Sequence, residues 1–175
     1  MVLRWFTRKP EDDHALTLCN RIIEASRQPA LYQSGQVPDT FEGRFESLAL
    51  HTFLTMRRLR ALPAPAGDVA QELVDHVFSH LDIGLRQAGI GDVSVPKRMK
   101  KLAQGFYGRV EAYEAALVAQ DHAALVAALS RNVASGQDAA PLADYVQASI
   151  AALATFDLDR LLTSGPEFPA LKPQD

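Results

Sequence analysis

Apolar residues recur along this chain at intervals of three and four, the spacing that gathers side chains on one face of an α-helix. No run of Val, Ile, Thr and aromatic residues alternates cleanly with polar ones, as a half-buried β-strand would require. The pattern predicts an all-α fold, a single-domain bundle of about six helices. The predicted helices cover residues 12–27, 39–62, 68–88, 94–119, 121–132 and 141–155.

Proline, glycine and capping residues mark the ends of these helices. Residues 29–38 contain turn-forming residues and no apolar stripe, which predicts an irregular connector. Asp39 is predicted to cap the second helix, with Glu42 three residues later completing a capping box. A short helical turn is predicted at 157–162. The glycine and three prolines that follow predict an irregular tail, extended or mobile, over residues 164–175.

The second and fourth helices differ in how their apolar residues are arranged. The second carries two apolar stripes, which predicts a central helix buried on more than one side. The fourth is two-sided, and one side gathers an apolar stripe that is predicted to face the core: Val95, Met99, Leu102, Phe106, Val110, Tyr113 and Leu117. The opposite side gathers Lys97, Lys100, Lys101, Gln104, Gly105 and Gly108.

Composition excludes several classes of protein. The chain has 175 residues and a net charge of −3, so it is long enough for a real core and is not a polycation made for DNA. Its single cysteine cannot form an internal disulfide, which favours a reducing compartment such as the cytoplasm. No apolar run reaches the roughly 20 residues of a membrane-spanning helix. Residues 1–10 form a basic and aromatic segment without the features of a secretory signal, followed by one helical domain at 11–163.

His76 and His80 resemble half of a metal site, because they lie four residues apart on the third predicted helix and both imidazoles can face one ligand. No glutamate separates them and no clear second pair of ligands exists, so an ordinary polar helix face is the preferred interpretation over a small helical metalloprotein. The sequence also lacks the motifs of nucleophilic catalysis, of triphosphate binding and of dinucleotide binding. No catalytic residue and no cofactor is predicted.

The segment from 89 to 109 is the most informative part of the sequence. It carries four basic residues within the five positions 97–101, and its Gly105 and Gly108 lie inside a predicted helix, where each costs about 1 kcal/mol relative to alanine. Small residues let another helix approach closely. We hypothesise that a partner segment packs on these glycines while the bases meet acidic groups or phosphates. The competing interpretation is that a helix of the same domain covers the glycines and the lysines are a solvated face.

Four separated blocks of the sequence carry a family resemblance. They are Val37-Pro38-Asp39-Thr40-Phe41-Glu42-Gly43-Arg44-Phe45-Glu46, Leu50-His51-Thr52-Phe53-Leu54, Arg57-Arg58-Leu59 and the segment from Gly91 to Arg109. In order and spacing they resemble the ubiquinol–cytochrome c chaperone family, over approximately residues 29–132. The resemblance implies an assembly factor of the cytochrome bc1 complex without a catalytic residue. The mitochondrial relatives bind newly made cytochrome b and work near the ribosome that makes it.

The resemblance also implies a location and partners. A chain this short without a mitochondrial presequence looks like a bacterial form, acting at the cytoplasmic face of the inner membrane on the integral membrane protein cytochrome b. A ribosome, a second assembly factor and peripheral membrane contact are further candidates, and DNA is not. The alternative function, from another class, is a helical module that binds RNA or anionic lipid. The candidate partner-binding residues are Asp39, Arg44, Asp92, Lys97, Lys100, Lys101, Gln104, Gly105, Tyr107, Gly108 and Arg109.

Overall fold

The computed structural model describes residues 14–134 and 136–171, which form eight helices and no β-strand. The all-α prediction is confirmed for this part of the chain. Six of the helices have eleven residues or more, and the other two are short segments of five and six residues. Their bounds are α1 His14–Ala25, α2 Pro29–Gln33, α3 Phe41–Arg60, α4 Ala66–Gln87, α5 Val95–Val118, α6 His122–Asn132, α7 Ala140–Leu153 and α8 Leu158–Thr163.

Helix α3 forms the centre of the bundle. It packs against α1, α4 and α7, and its two predicted apolar stripes are buried except at Phe41, the first residue of the helix, which is 47% exposed. Helices α4, α5, α6 and α7 are successive neighbours, so together with α3 they form a closed ring of packed helices. Helix α1 lies against α3, α4 and α8, with its apolar face, including Cys19, in the core.

The prediction of an irregular connector before α3 is wrong for the first half of that segment. Residues Pro29–Gln33 form the short helix α2, because proline at the first helical position lacks an amide that would be unpaired there and already has a helical φ. Leu31 is buried and anchors this turn to the core. The absence of a long apolar stripe therefore excludes a long helix here, but it does not exclude a single helical turn.

The cap of α3 is Thr40 and not Asp39. Thr40 has extended backbone angles, and its hydroxyl accepts a hydrogen bond of 3.1 Å from the amide of Gly43. Gly43 is needed at this point, because a Cβ there would lie 1.9 Å from the carbonyl oxygen of Pro38. By contrast, the predicted cap Asp121 does begin α6, where it accepts from the amide of Ala124 at 2.9 Å.

The C-terminal tail is extended as far as residue 171 and packs on the bundle. Leu171 is buried, and the ring of Phe168 meets the ring of His51 edge-on, with 4.7 Å between their centroids. His51 is buried: its Nδ1–H donates to the carbonyl of Ser47, and its Nε2 accepts from the hydroxyl of Tyr145, each at 2.7 Å. The tail thus covers a polar group of the core.

Some expectations fall on residues 1–13, 135 and 172–175, which lie outside the described residues. They are the basic and aromatic segment 1–10, the start of the first helix and the last residues of the tail. Among the helices that are described, none has both the length and the hydropathy of a membrane span.

Candidate functional site

Helix α5 is two-sided, as its sequence predicts. Its apolar stripe faces the interior of the helix bundle, and Val95, Phe106 and Tyr113 are buried there. The opposite side is open to solvent, and we call it the α5 outer face. It is defined by six exposed residues of the first turns, and the exposed Glu111 lies one turn further on; the six are Lys97, Lys100, Lys101, Gln104, Tyr107 and Gly108.

The basic side chains of the α5 outer face have no acidic partners within the described residues. Lys97, Lys100 and Lys101 make no ion pair there, and neither does Arg98. Tyr107 adds an aromatic ring that is 50% exposed, with its edge against Phe106. The face therefore combines unpaired positive charge with exposed aromatic and small residues.

The two glycines of α5 lie in different surroundings. A Cβ added at Gly108 would meet no atom within 4 Å, so no other part of the described chain covers this position. A Cβ added at Gly105 would lie 2.7 Å from Nη1 of Arg109. Gly105 therefore makes room for a side chain of its own helix, whereas Gly108 has no such internal role.

Arg109 is engaged inside the molecule. Its Nε and Nη2 donate to the two carboxylate oxygens of Glu46 on α3, and its guanidinium lies 5.6 Å from the ring centroid of Phe45. The Glu46 side chain is only 8% exposed and that of Arg109 19%. Burial raises the pKa of Glu46, and the Arg109 charge opposes this rise. This pair holds α5 against α3.

The remaining candidate residues also have partners in the fold. Arg44 donates to Asp39 at 2.7 Å on the surface, and this hydrogen bond lowers the pKa of the aspartate. Asp92, in the turn before α5, accepts from Arg86 at 2.5 Å. Arg86 also pairs with Asp82 at 2.7 Å. These exposed pairs lie outside the α5 outer face as defined above.

Within residues 14–134 and 136–171, the fold does not gather a set of metal ligands around His76 and His80. Among the described residues, no group of three or more His, Cys, Asp or Glu side chains is placed to hold a metal ion. Both histidines are half-buried on α4, and burial lowers the pKa of His80. The arrangement is that of polar residues beside an apolar helix face.

Comparison with known proteins adds the family. The profile of the family described as ubiquinol-cytochrome C chaperone matches residues 33–168. This chain belongs to that family. The match reaches well beyond residue 132, where the resemblance in the sequence was expected to end.

Two similar proteins support the assignment. A Xenopus laevis protein named ubiquinol-cytochrome-c reductase complex assembly factor 1 is 23% identical in an alignment of 156 residues that covers 86% of this chain and 78% of that protein. The crystal structure of the Cbp3 homolog from Brucella abortus is 41% identical, covers 90% of both chains and has a TM-score of 0.79. The helical bundle is therefore a fold that members of this family share.

Sequence reasoning missed two residues that shape the surroundings of the site. The sequence indicates no contact for Glu46, because its partner Arg109 is 63 positions away and periodicity on one helix does not show contacts with another. Val93, in the turn between α4 and α5, is 95% exposed. A lone valine in a glycine-containing turn gives no sequence signal of that exposure.

Proposed function

We propose that this chain is an assembly chaperone of the cytochrome bc1 complex that binds newly made cytochrome b through the α5 outer face. Membership of the chaperone family supports the general role. The similar Xenopus protein is named as an assembly factor of ubiquinol-cytochrome-c reductase, which is the cytochrome bc1 complex. The finer part of the proposal, the client and its binding surface, rests on the geometry of α5.

The observation that carries the proposal is the open position at Gly108. A glycine inside a helix costs about 1 kcal/mol relative to alanine, and no neighbour in the described fold requires it there. Gly84 inside α4 is equally open, but of the two only Gly108 lies on the basic and aromatic α5 outer face, where close approach of an outside segment gives the glycine a reason. Because membrane helices associate through small residues that let backbones approach, a membrane-protein client suits this surface.

The residues around Gly108 fit the same client. Tyr107 offers an amphipathic ring, a residue type enriched at protein interfaces, and Gln104 offers an amide that can donate and accept. Lys100 and Lys101 lie about two turns before Gly108 and meet acidic groups at the ends of the client's helices. Asp39, Arg44, Asp92 and Lys97 contribute at the rim, where charged pairs favour the encounter more than the final affinity.

In this proposal the chain holds its client and catalyses no reaction. It acts at the inner face of the bacterial inner membrane, where a newly inserted membrane protein exposes its cytoplasmic loops and helix ends. A ribosome or a second assembly factor is a further candidate partner, because a client of this kind is captured as it is made. Gly105 and Arg109 support the surface from within by fixing α5 on α3.

The proposal is tested by substituting the open glycine. The variant Gly108→Leu fills the outer face with a side chain that no other part of the described fold touches. Its matched control is Gly84→Leu, because Gly84 lies inside α4 and a Cβ there also meets no atom within 4 Å. Each tagged variant replaces the native protein in cells, and cytochrome b recovered with it from detergent-solubilised membranes is measured by immunoblot.

We expect Gly108→Leu to lower recovery of cytochrome b about 5- to 150-fold, the equivalent of 1–3 kcal/mol of overpacking at the contact. Gly84→Leu should recover cytochrome b at the native level, and both variants should retain the native thermal unfolding temperature within a few degrees. Equal recovery with Gly108→Leu and the native protein would contradict the proposed surface. Equal loss with both glycine variants would also contradict it.

A further inference from the structure

The turn between α4 and α5 projects an apolar residue beside a cluster of bases. Val93 is 95% exposed, whereas the preceding apolar residue, Ile90, is tied back by its amide, which donates to the carbonyl of Leu85 at 3.2 Å. The first turns of α5 then present Lys97, Arg98, Lys100 and Lys101 to solvent. We call these five side chains, Val93 and the four bases, the α4–α5 corner.

All the charged side chains of this corner are positive. Between Val93 and Gly108 the sequence has four basic residues and no acidic one, in a chain whose net charge is −3. None of the four bases makes an ion pair within the described residues. The adjacent Asp92 is held by Arg86 at 2.5 Å and so does not neutralise them. The corner therefore attracts an anionic surface.

We infer that the α4–α5 corner docks on an anionic phospholipid bilayer. Val93 enters the interfacial region, and the four bases lie among the headgroup phosphates. An exposed aliphatic side chain gains from leaving water there, and each Lys or Arg near an anionic leaflet strengthens binding about fivefold at moderate salt. Neither contribution alone gives stable attachment, but the two together give reversible peripheral binding.

The same positive charges would also attract RNA. The exposed valine and the local sequence favour a lipid surface instead. Single-stranded RNA is bound by aromatic side chains that stack on its bases, in addition to phosphate contacts. Residues 88–105, which contain the whole corner, include no aromatic residue, and the exposed ring of Tyr107 lies almost two helical turns beyond Lys101. An aliphatic residue at the tip of a turn has no role against a sugar-phosphate backbone, whereas the hydrocarbon boundary of a bilayer accommodates it.

This inference goes beyond the proposed client and its test does not depend on it, although Lys97, Lys100 and Lys101 belong to both the α5 outer face and the α4–α5 corner. Cytochrome b is absent from the test, which uses the full-length chain and synthetic vesicles. One set contains phosphatidylcholine alone, and the other contains phosphatidylcholine with about 30% phosphatidylglycerol as the anionic lipid. Binding is measured as the fraction of protein that sediments with the vesicles, at salt concentrations from about 50 to 500 mM.

Two variants and one control locate the contact. Lys97→Ala/Arg98→Ala removes two bases of the corner, and Val93→Ser removes the apolar tip without adding charge. Arg60→Ala/Arg131→Ala is the matched control, because it removes two exposed bases on α3 and α6 and changes the net charge equally. All three changes are at exposed positions, so the native unfolding temperature serves as a check on the fold.

The native chain should bind the phosphatidylglycerol vesicles, bind phosphatidylcholine vesicles weakly, and dissociate as salt is raised. Lys97→Ala/Arg98→Ala should weaken the partition coefficient about 25-fold, and Val93→Ser about three- to tenfold. The control should remain within about twofold of the native chain. Equal sedimentation with both kinds of vesicle would overturn the inference, as would equal losses in the corner and control variants. Binding of single-stranded RNA with the same dependence on Lys97 and Arg98, but no binding to vesicles, would assign the corner to nucleic acid instead.

Discussion

Gly105 and Gly108 lie three residues apart on one helix and serve different purposes. From the sequence, both are predicted to be small residues on the side of α5 that faces away from the core. In the structure, Gly105 leaves room for the Arg109 guanidinium, whereas nothing in the described fold fills the space beside Gly108. A side chain at Gly105 therefore displaces the Arg109 guanidinium, and only a substitution at Gly108 isolates the proposed binding surface.

His51 is a buried titratable residue whose behaviour depends on pH. Burial lowers its pKa to about 4 from an ordinary 6.5. Between pH 6.5 and pH 4, His51 is protonated in the unfolded chain and neutral in the folded chain. The stability that His51 contributes is therefore present above pH 6.5 and is lost as the pH falls toward 4. The full loss amounts to about 3 kcal/mol.

The variant His51→Gln tests this linkage. It should be less stable than the native protein at pH 7, by about 1–3 kcal/mol, because the Ser47 carbonyl or the Tyr145 hydroxyl loses its partner. The difference should shrink by about 2 kcal/mol at pH 4.5, since the variant lacks the titration. Urea unfolding at both pH values measures it. Parallel losses of stability in the two proteins would show that His51 titrates normally.

Residue-scale features were only partly predictable from the sequence. The pattern correctly placed Val95, Phe106 and Tyr113 in the core, because helical periodicity alone decides which side of a helix is apolar. It chose Asp39 over Thr40 as a cap, because both are good capping residues and the choice depends on the backbone angles of one residue. Local patterns do not distinguish such neighbours.

Helices α3 and α5 are joined mainly through long side chains. The Arg109–Glu46 pair, the edge contact of Phe53 with Tyr113 at 5.7 Å, and the Arg57–Glu114 pair at 2.9 Å connect them. Of these, the Arg109–Glu46 pair is the most deeply buried ion pair, so removing one partner leaves a charge with little access to water. Helix α5 also packs on α4 and α6, and this pair fixes the side of α5 that faces α3.

The variant Arg109→Met should destabilise the fold by about 3–5 kcal/mol at pH 8 and by less at pH 5. Without Arg109, burial raises the pKa of Glu46 unopposed, and an acid whose pKa is raised by folding loses stability as the pH rises through that value. Urea unfolding at pH 5 and pH 8 measures both effects. An equal loss at the two pH values would contradict this role of Glu46.

The double variant Glu46→Gln/Arg109→Met is the control for that prediction. It removes the stranded carboxylate as well, so most of the stability lost at pH 8 should return. The dependence on pH that separates Arg109→Met from the native protein should disappear. A double variant no more stable than the single one would mean that lost packing by the long arginine stem, and not charge, accounts for the effect.

At the scale of elements, the sequence predicted the long helices well and the short one before α3 poorly. Long helices repeat their apolar spacing several times, as α4 does over 22 residues, so the pattern is hard to mistake. Helix α2 has five residues and one buried leucine, too few to form a stripe. The packing of residues 164–171 on the bundle was left open, since its contact with His51 joins positions far apart in the chain.

At the scale of the whole molecule, family and fold agree and the client surface is the remaining question. The family match and the similar Brucella structure place the chain among the ubiquinol–cytochrome c chaperones. The sequence pointed to the α5 outer face through its glycines and lysines, but whether that face is open depends on how the whole ring of helices closes. In the structure it is open to solvent, which is what a docking surface requires.

Photocrosslinking from the α5 outer face tests the central claim most directly. A photoreactive amino acid replaces Gln104, which is exposed beside Gly108, and in a matched control it replaces Gln71, which is exposed on α4. After irradiation of living cells, crosslinked partners are identified with an antibody against cytochrome b. We predict a cytochrome b adduct from position 104 and none from position 71. An adduct of equal yield from both positions, or from position 71 alone, would contradict the account.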